Sequence, residues 1–160
     1  MAIFKDYLEN KSPLILHGAL GTEMESLGYD ISGKLWSAKY LLEKPEVIQK
    51  IHETYVAAGA DLITTSSYQA TLPGLIDAGL TKEEAEQIIA LTVQLAKNAR
   101  DKVWTALDET EKAKRPYPLI SGDVGPYAAY LANGSEYTGD YGQITIEELK
   151  EFHRPRIQLL

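Results

Sequence analysis

The alternation of short apolar runs with amphipathic helices is the feature that most constrains the fold of this chain. Apolar runs at 13–18, 61–68 and 118–125 lead into glycines or hydroxyl side chains. A segment between them carries apolar residues at helical spacing, namely Val47, Ile48, Ile51, Tyr55 and Val56. Strands joined by crossover helices pair in parallel, with right-handed connections. The sequence therefore predicts an α/β fold with three parallel strands.

Local signals predict where several helices begin and end. Pro45 suits the first position of a helix, and Gly59 suits a left-handed residue just beyond its end. Residues 81–84 and 145–148 both have the Thr-x-x-Glu spacing of a capping box. We expect Pro155 to kink or interrupt the last helix, because proline lacks an N–H and clashes with the preceding turn.

Three segments without a clear period are expected to be loops: 29–44, 72–79 and 125–142. The last of them carries four tyrosines, and a long aperiodic loop of this kind is usually functional. Its ring faces suit a pocket for a cationic small molecule. The alternative is that the tyrosines pack against one another as a plug.

The composition excludes several classes of partner and site. The chain has 16 Lys and Arg residues against 23 Asp and Glu, a formal charge of −7. Nucleic-acid and anionic membrane surfaces need clustered basic residues, so neither partner is expected. The sequence has no cysteine, which excludes disulfides, thiolate zinc sites and a cysteine nucleophile within it. Without a spanning stretch of about 18 apolar residues or an apolar signal core, we expect a cytoplasmic protein.

The ends of the three predicted strands are the candidate functional positions, because ligands of parallel α/β folds bind there. Their sequences are HGALGTE from His17, TTSSYQ from Thr64 and SGDVGPY from Ser121. Small residues let a ligand approach the backbone, and the polar side chains can orient it. A structural role for His17 and a simple turn at Gly18 are the alternatives. His52 lies on a helical pattern and is expected to be a surface or packing residue.

These motifs resemble the homocysteine S-methyltransferase family, and within it the bacterial enzymes that use S-methylmethionine. The resemblance rests on LILHGALGTEMESLGYD, LWSAKYLLEKPEVIQKIHETYVAAGADLITTSSYQAT, SGDVGPYAAYLANGSEYTGDYG and FHRPRIQLL. It implies that residues 1–160 are the N-terminal part of a (βα)8 TIM barrel. It also implies methyl transfer from a sulfonium donor to homocysteine, giving methionine. The substrates would be small molecules.

The resemblance further implies a catalytic zinc held by three cysteines, which lie in the C-terminal half of the family. Zinc binds the homocysteine thiol and lowers its pKa, so that a thiolate attacks the methyl group. This chain has no cysteine to hold zinc, and alone it is expected to be inactive. No other cofactor is expected.

The substrate-binding residues suggested by the resemblance come from all three strand ends. They are His17, Gly18, Ala19, Glu23, Glu25, Trp36, Ser66, Ser67, Tyr68, Asp123, Gly125, Pro126, Tyr127 and Tyr130. None is expected to act as a nucleophile or metal ligand. The family usually has Asp where this chain has His17, and an imidazole cannot replace a carboxylate toward the homocysteine ammonium. Asp123 is an additional carboxylate that would compensate.

A three-stranded parallel sheet leaves two edges and one apolar face uncovered, which predicts self-association, most simply as a two-fold dimer. Two functions of different classes follow. The first is the methyltransferase, of which this chain would be an inactive part. The alternative is a non-catalytic half-barrel that acts as a binding or assembly module.

Overall fold

The computed structural model describes residues 2–10, 13–33 and 35–160, which form a small parallel sheet surrounded by helices. The helices are α1 (Ala2–Asn10), α2 (Leu20–Ser26), α3 (Lys39–Glu43), α4 (Pro45–Ala57), α5 (Leu72–Asp77), α6 (Lys82–Ala106), α7 (Glu109–Lys112), α8 (Tyr127–Leu131), α9 (Ser135–Thr138) and α10 (Ile146–Leu159). A 3₁₀ turn at Trp36–Ala38 precedes α3. In the described part of the chain, no helix is both long and apolar enough to cross a bilayer.

The sheet consists of β1 (Leu62–Thr64) and β2 (Leu119–Ser121), which pair in parallel. Leu62 lies opposite Leu119, and Thr64 lies opposite Ser121. The long helix α6 is part of the connection between the two strands, as a parallel pair requires. The α/β class and the parallel pairing of these two segments are therefore confirmed.

The first predicted strand forms only a single bridge, so the prediction of three strands is wrong for the described residues. Leu16 pairs in parallel with Leu62 on the side of β1 away from β2. The His17 N–H donates to the Leu62 carbonyl at 3.0 Å. The ladder does not continue toward the N-terminus, because the Ile15 N–H donates to the Asp61 carboxylate at 3.0 Å instead of to a backbone carbonyl.

The predicted helix boundaries are confirmed by their hydrogen bonds. Helix α4 begins at Pro45, and Gly59 adopts a φ of +101° just beyond its end. Both capping boxes form, with reciprocal bonds between the Thr and Glu of 81–84 and of 145–148. The expected interruption at Pro155 does not occur, because α10 continues through it to Leu159. The next side chain, Arg156, holds this last turn in place through hydrogen bonds described below.

The three expected loops all contain helices, which corrects that prediction. Segment 29–44 contains α3, segment 72–79 contains α5, and segment 125–142 contains α8 and α9. These helices have at most six residues each, too few to show a clear period in the sequence. Helix α5 begins because the Thr71 hydroxyl accepts the Gly74 N–H at 3.1 Å and Pro73 occupies the first turn.

The apolar core lies between α4 and α6, with the sheet beside it. Ile48 and Ile51 of α4 and Ile89 of α6 are fully or almost fully buried. Burial of one such side chain stabilises the fold by about 1.5–3 kcal/mol. The polar groups of this layer are paired: the Thr92 hydroxyl donates to the Ile89 carbonyl at 2.7 Å, and Lys102 binds the buried Glu53 at 2.9 Å.

Candidate functional site

A cleft of about 890 Å³ opens where the bridge at Leu16 and strands β1 and β2 end. Residues 16–22 form one side of it, and Thr64, Thr65 and Ser66 form the floor beside them. The 3₁₀ turn at Trp36–Ala38 and helices α8 and α9 also contribute to the lining. The cleft is therefore at the carboxyl edge of the sheet, the usual place for a ligand in parallel α/β folds.

The structure brings most of the predicted substrate-binding residues to this cleft. Those that line it are His17, Gly18, Ala19, Glu25, Trp36, Ser66, Tyr68 and Asp123. Six others do not line it: Glu23, Ser67, Gly125, Pro126, Tyr127 and Tyr130. Two of these belong to an aromatic cluster, since the rings of Tyr127 and Tyr130 lie 5.0 and 5.4 Å from that of Phe152. This packing corresponds to the plug considered for the tyrosine-rich segment.

A closed ring of hydrogen bonds fixes the backbone of Asp123 to the end of β1. The Asp123 N–H donates to the Thr65 hydroxyl at 2.9 Å, and the Ser67 hydroxyl donates to the Asp123 carbonyl at 2.6 Å. Since Ser67 uses its only proton there, Thr65 donates to Ser67 in the remaining bond of 2.6 Å. Each hydroxyl and backbone group in this ring of hydrogen bonds has a partner. The bonds set the position of the strand end that carries Asp123.

Two glycines allow close approaches at the strand ends. A Cβ on Gly125 would lie 2.3 Å from the Tyr68 carbonyl oxygen, a distance that no side chain can occupy. A Cβ on Gly18 would lie 2.7 Å from the Tyr55 ring. The segment at Gly125 therefore needs glycine, because it lies against backbone, whereas a side chain at position 18 would require the end of the Tyr55 ring to move.

Two histidines meet at the inner end of the cleft. The ring of His17 lies edge-on to that of His52, with 5.8 Å between centroids, and its Nε2 is 2.6 Å from the Thr64 hydroxyl. His52 is completely buried, and burial together with the neighbouring His17 lowers its pKa to about 4. Burial also lowers the pKa of His17, against the effects of the Gly18 backbone and Asp123. Both imidazoles are therefore neutral at pH 7.

Arg156 connects α10 to the segments that follow both strands. Its guanidinium is buried and donates to the carbonyls of Ser67, Tyr68 and Gly125 at 3.2, 3.0 and 2.5 Å. The first two carbonyls follow β1 and the third follows β2. Arg156 therefore holds together the two segments that frame the cleft.

Buried polar atoms without a hydrogen-bond partner are concentrated at the cleft. Within the ranges that the structure describes, they are Nδ1 of His17, both ring nitrogens of His52, Oγ of Ser66 and Nε of Arg156. All except the arginine belong to residues that line the cleft. A buried polar group normally has a partner, so this concentration indicates a place for a polar ligand or for water.

The charges that line the cleft are negative. They belong to Glu25, Asp123 and Glu136, and no Lys or Arg is found in the described lining. Burial raises the pKa of Asp123, while the charge of Arg156, and that of His17 when it is protonated, oppose the rise. A cleft of this charge attracts cations and repels anions.

Two side-chain-bearing residues with positive φ also lie at the cleft. They are Trp36 and Ala132, with φ of +47° and +51°, and both line it. A positive φ is uncommon for residues other than glycine. At Ala132 it ends helix α8, and at Trp36 it places strained backbone at the cleft, as is often found in binding and catalytic sites.

A zinc centre does not fit the residues present here. The chain has no cysteine, and among residues 2–10, 13–33 and 35–160 no group of three or more His, Asp or Glu side chains could hold a metal ion. His17 and His52 are adjacent, and the described residues provide no third ligand beside them.

The family model described as "Homocysteine S-methyltransferase" matches residues 14–160. The chain belongs to the homocysteine S-methyltransferase family. It is 48% identical to homocysteine S-methyltransferase YbgG of Bacillus subtilis over 147 residues, which are 92% of this chain and 46% of that protein. It is 42% identical to homocysteine S-methyltransferase 1 of Brassica oleracea var. italica over 161 residues, covering 99% of this chain and 49% of that protein. The chain thus spans about half the length of these relatives.

The fold also matches about half of a solved homocysteine methyltransferase. The structure superposes on the metallated form of the homocysteine methyltransferase MmuM from Escherichia coli with a TM-score of 0.87 and 41% identity. The match covers 98% of this chain and 52% of the MmuM chain. A relative in this family therefore binds metal, although the residues described here contain no group that could do so.

Several residues of the cleft were not among the predicted ones. The clearest is His52, for which a surface or packing position is predicted and which is buried against His17 beside the cleft. A signal was available, because His52 follows Ile48 by four positions and thus shares its buried face of α4. Thr64 and Thr65 also line it, although the sequence indicates only that they belong to a strand end. Glu136 and Tyr137 come from α9, which the sequence pattern did not predict.

Proposed function

We propose that this chain forms the substrate-binding part of an enzyme that transfers a methyl group from a sulfonium donor, such as S-methylmethionine, to homocysteine, giving methionine. The observation that carries the proposal is the acidic cleft at the strand ends, built largely from the residues on which the family resemblance rests. The wider architecture would be a (βα)8 TIM barrel, of which the short sheet and its helices are one part.

The cleft suits the charges of both substrates. A sulfonium donor is a cation, and homocysteine carries an ammonium group. The carboxylates of Glu25, Asp123 and Glu136 complement these charges. The rings of Trp36 and Tyr137 line the same cleft and can attract a sulfonium by their faces. The role of this chain would thus be to bind and orient both substrates and to keep water from the reacting atoms.

The chain itself is expected to lack the activity, because the family resemblance implies a zinc-bound thiolate. The chain has no cysteine, and its described residues provide no other set of zinc ligands. We therefore expect no methionine when the 160-residue chain is incubated with homocysteine, S-methylmethionine and zinc. Formation of methionine above a no-protein control would contradict this part of the proposal.

A chimeric protein tests whether the chain supplies a working substrate half. Residues 14–160 would replace the matching part of the B. subtilis relative, leaving the rest of that protein unchanged. We expect the chimera to form methionine from homocysteine and S-methylmethionine, with the unmodified relative as the control. A chimera that folds and retains its metal but makes no methionine would refute the proposal.

The alternative, an assembly or binding module, is favoured by one observation. Ile15 and Leu16 flank the sheet and are 53% and 57% exposed, although both belong to an apolar run. Covering such a side chain contributes about 1.5–3 kcal/mol, so a second copy would gain by burying this edge. Sedimentation at micromolar concentration should then show a dimer. A well-folded monomer would count against self-association.

A further inference from the structure

Asp123 differs from the other acids of the cleft in how its backbone is held. Its N–H and its carbonyl are both engaged by hydroxyls, those of Thr65 and Ser67, so that the residue is fixed relative to the end of β1. Glu25 and Glu136 are exposed side chains on short helices. A ligand-binding carboxylate should be held by rigid neighbours in this way, because that reduces the entropy lost on binding.

The carboxylate of Asp123 is available to a ligand. No hydrogen bond or ion pair to it is found in the part of the chain that the structure describes. The nearby cation, Arg156, directs its terminal nitrogens at three backbone carbonyls and at His153, so it lowers the cost of the charge on Asp123 without occupying its oxygens. Asp123 is thus a partly buried carboxylate whose two oxygens can accept hydrogen bonds from a ligand.

Two neutral acceptors without partners line the same cleft. Ser66 is 7% exposed and its buried hydroxyl lacks a partner among the described residues. In the tautomer that carries its proton on Nε2, His17 donates to the Thr64 hydroxyl and presents the lone pair of Nδ1. Asp123 and His17 are also close enough for each to affect the pKa of the other.

This set of groups matches an ammonium better than the other ligands of comparable size. An ammonium offers three N–H donors and one positive charge, and the set offers one carboxylate and two neutral acceptors. An anion would meet three carboxylates and no lysine or arginine in the described lining. A metal ion would require a third His, Asp or Glu ligand, which the described residues do not provide.

We propose that Asp123 binds the α-ammonium group of the amino-acid substrate, with Ser66 and His17 as the neutral acceptors beside it. This inference rests on the proposed function, which makes homocysteine a ligand of the cleft. It places the ionic contact with the substrate at the end of β2. His17, at the end of the segment 13–18, acts as an uncharged hydrogen-bond acceptor.

The test combines a change in the protein with a change in the ligand. L-Homocysteine and 4-mercaptobutanoate, which lacks only the amino group, would be titrated into the wild-type chain and into Asp123→Asn, with dissociation constants measured by NMR. Asp140→Asn is the matched control, since Asp140 is an exposed carboxylate of the same segment outside the cleft lining. Circular dichroism checks that all three proteins are folded.

We expect Asp123→Asn to weaken homocysteine binding by about 10-fold to 100-fold, the usual range for a lost ionic hydrogen bond. It should not weaken the binding of 4-mercaptobutanoate, because that ligand is an anion and the substitution removes a negative charge from the cleft. Asp140→Asn should change neither constant. Unchanged homocysteine affinity in Asp123→Asn, or an equal loss for both ligands, would overturn the inference while leaving the proposed function intact. If the wild-type chain and the chimera bind neither ligand, the proposed function itself fails and the inference fails with it.

Discussion

The layer between α4 and α6 and the cleft at the strand ends differ in whether their buried polar groups have hydrogen-bond partners. In the helical layer, Thr92 and Glu53 are buried and each has hydrogen-bond partners within the fold. At the cleft, His52 and Ser66 are just as buried, and within residues 2–10, 13–33 and 35–160 their side chains have none.

This difference indicates a division of roles. A partnered polar group adds to stability, whereas an orphaned one costs free energy until a ligand or water satisfies it. We therefore expect substitutions in the helical layer to act mainly on the free energy of unfolding. Substitutions of the orphaned groups should act mainly on ligand binding, and the following predictions test that separation.

The largest effect is expected for Ile89→Ala in the helical layer. Ile89 is fully buried in the main core, and removing its outer carbons leaves a cavity between α4 and α6. The free energy of unfolding should fall by about 2–5 kcal/mol, measured by urea denaturation. Ile76→Ala is the control, since Ile76 is 42% exposed and should change stability by only about 0.5 kcal/mol. Equal losses in the two variants would contradict the placement of the core.

The next effect is a dependence of stability on pH that comes from His52. Its pKa is about 4 in the fold and about 6.5 in the unfolded chain, so the unfolded state binds more protons between these values. The contribution of His52 to stability is therefore fully present well above pH 6.5 and is lost as the pH drops toward 4. Between pH 7.5 and pH 5 we expect a loss of about 2 kcal/mol.

Urea denaturation of the wild-type chain and of His52→Leu at both pH values measures this effect. The variant lacks the buried imidazole, so its stability should change less than that of the wild type between pH 7.5 and pH 5. His17, which has a lowered pKa of its own, remains in both proteins. An identical loss in the two proteins would show that His52 is not the titrating group.

A smaller effect is expected for His17→Asp on binding. A carboxylate at this position adds a second ionic partner for an ammonium, and homocysteine affinity should rise about tenfold. His17→Asn is the control, because it offers a hydrogen bond to Thr64 without the charge. Unchanged affinity in the Asp variant would mean that His17 has only a structural role.

The sequence predicted the features that depend on local signals. The capping boxes, Pro45 and Gly59 all depend on neighbours within a few residues, and each is confirmed. The strand predicted at 13–18 was wrong because its ladder is interrupted by Asp61, a side chain 46 positions away, which accepts the Ile15 N–H. Helices α8 and α9 were missed because four or five residues cannot display a helical period.

For the cleft, the sequence indicated which segments meet but not which side chains point inward. All three strand ends contribute to the lining, as expected from parallel pairing. Ser66 and Ser67 are adjacent and look equivalent in the sequence, yet only Ser66 lines the cleft, because successive side chains of an extended segment alternate in direction. The contribution of Arg156 depends on three carbonyls 31 to 89 positions away and has no local signal.

The smallest effect on stability is expected for Ser66→Ala, and comparison with Ser67→Ala isolates its cause. The Ser66 hydroxyl is buried with no partner in the described ranges, so removing it breaks no bond and should not lower the free energy of unfolding; relief of the desolvation cost should raise it by up to about 1 kcal/mol. The Ser67 hydroxyl bonds to both Thr65 and the Asp123 carbonyl, so the same substitution there leaves buried groups unsatisfied and should cost about 1–3 kcal/mol. For homocysteine affinity, Ser66→Ala should cause a loss even though the fold is unchanged. Equal stability losses in the two variants would mean that Ser66 has a structural partner, and that the division between the stabilising layer and the binding cleft does not hold at this position.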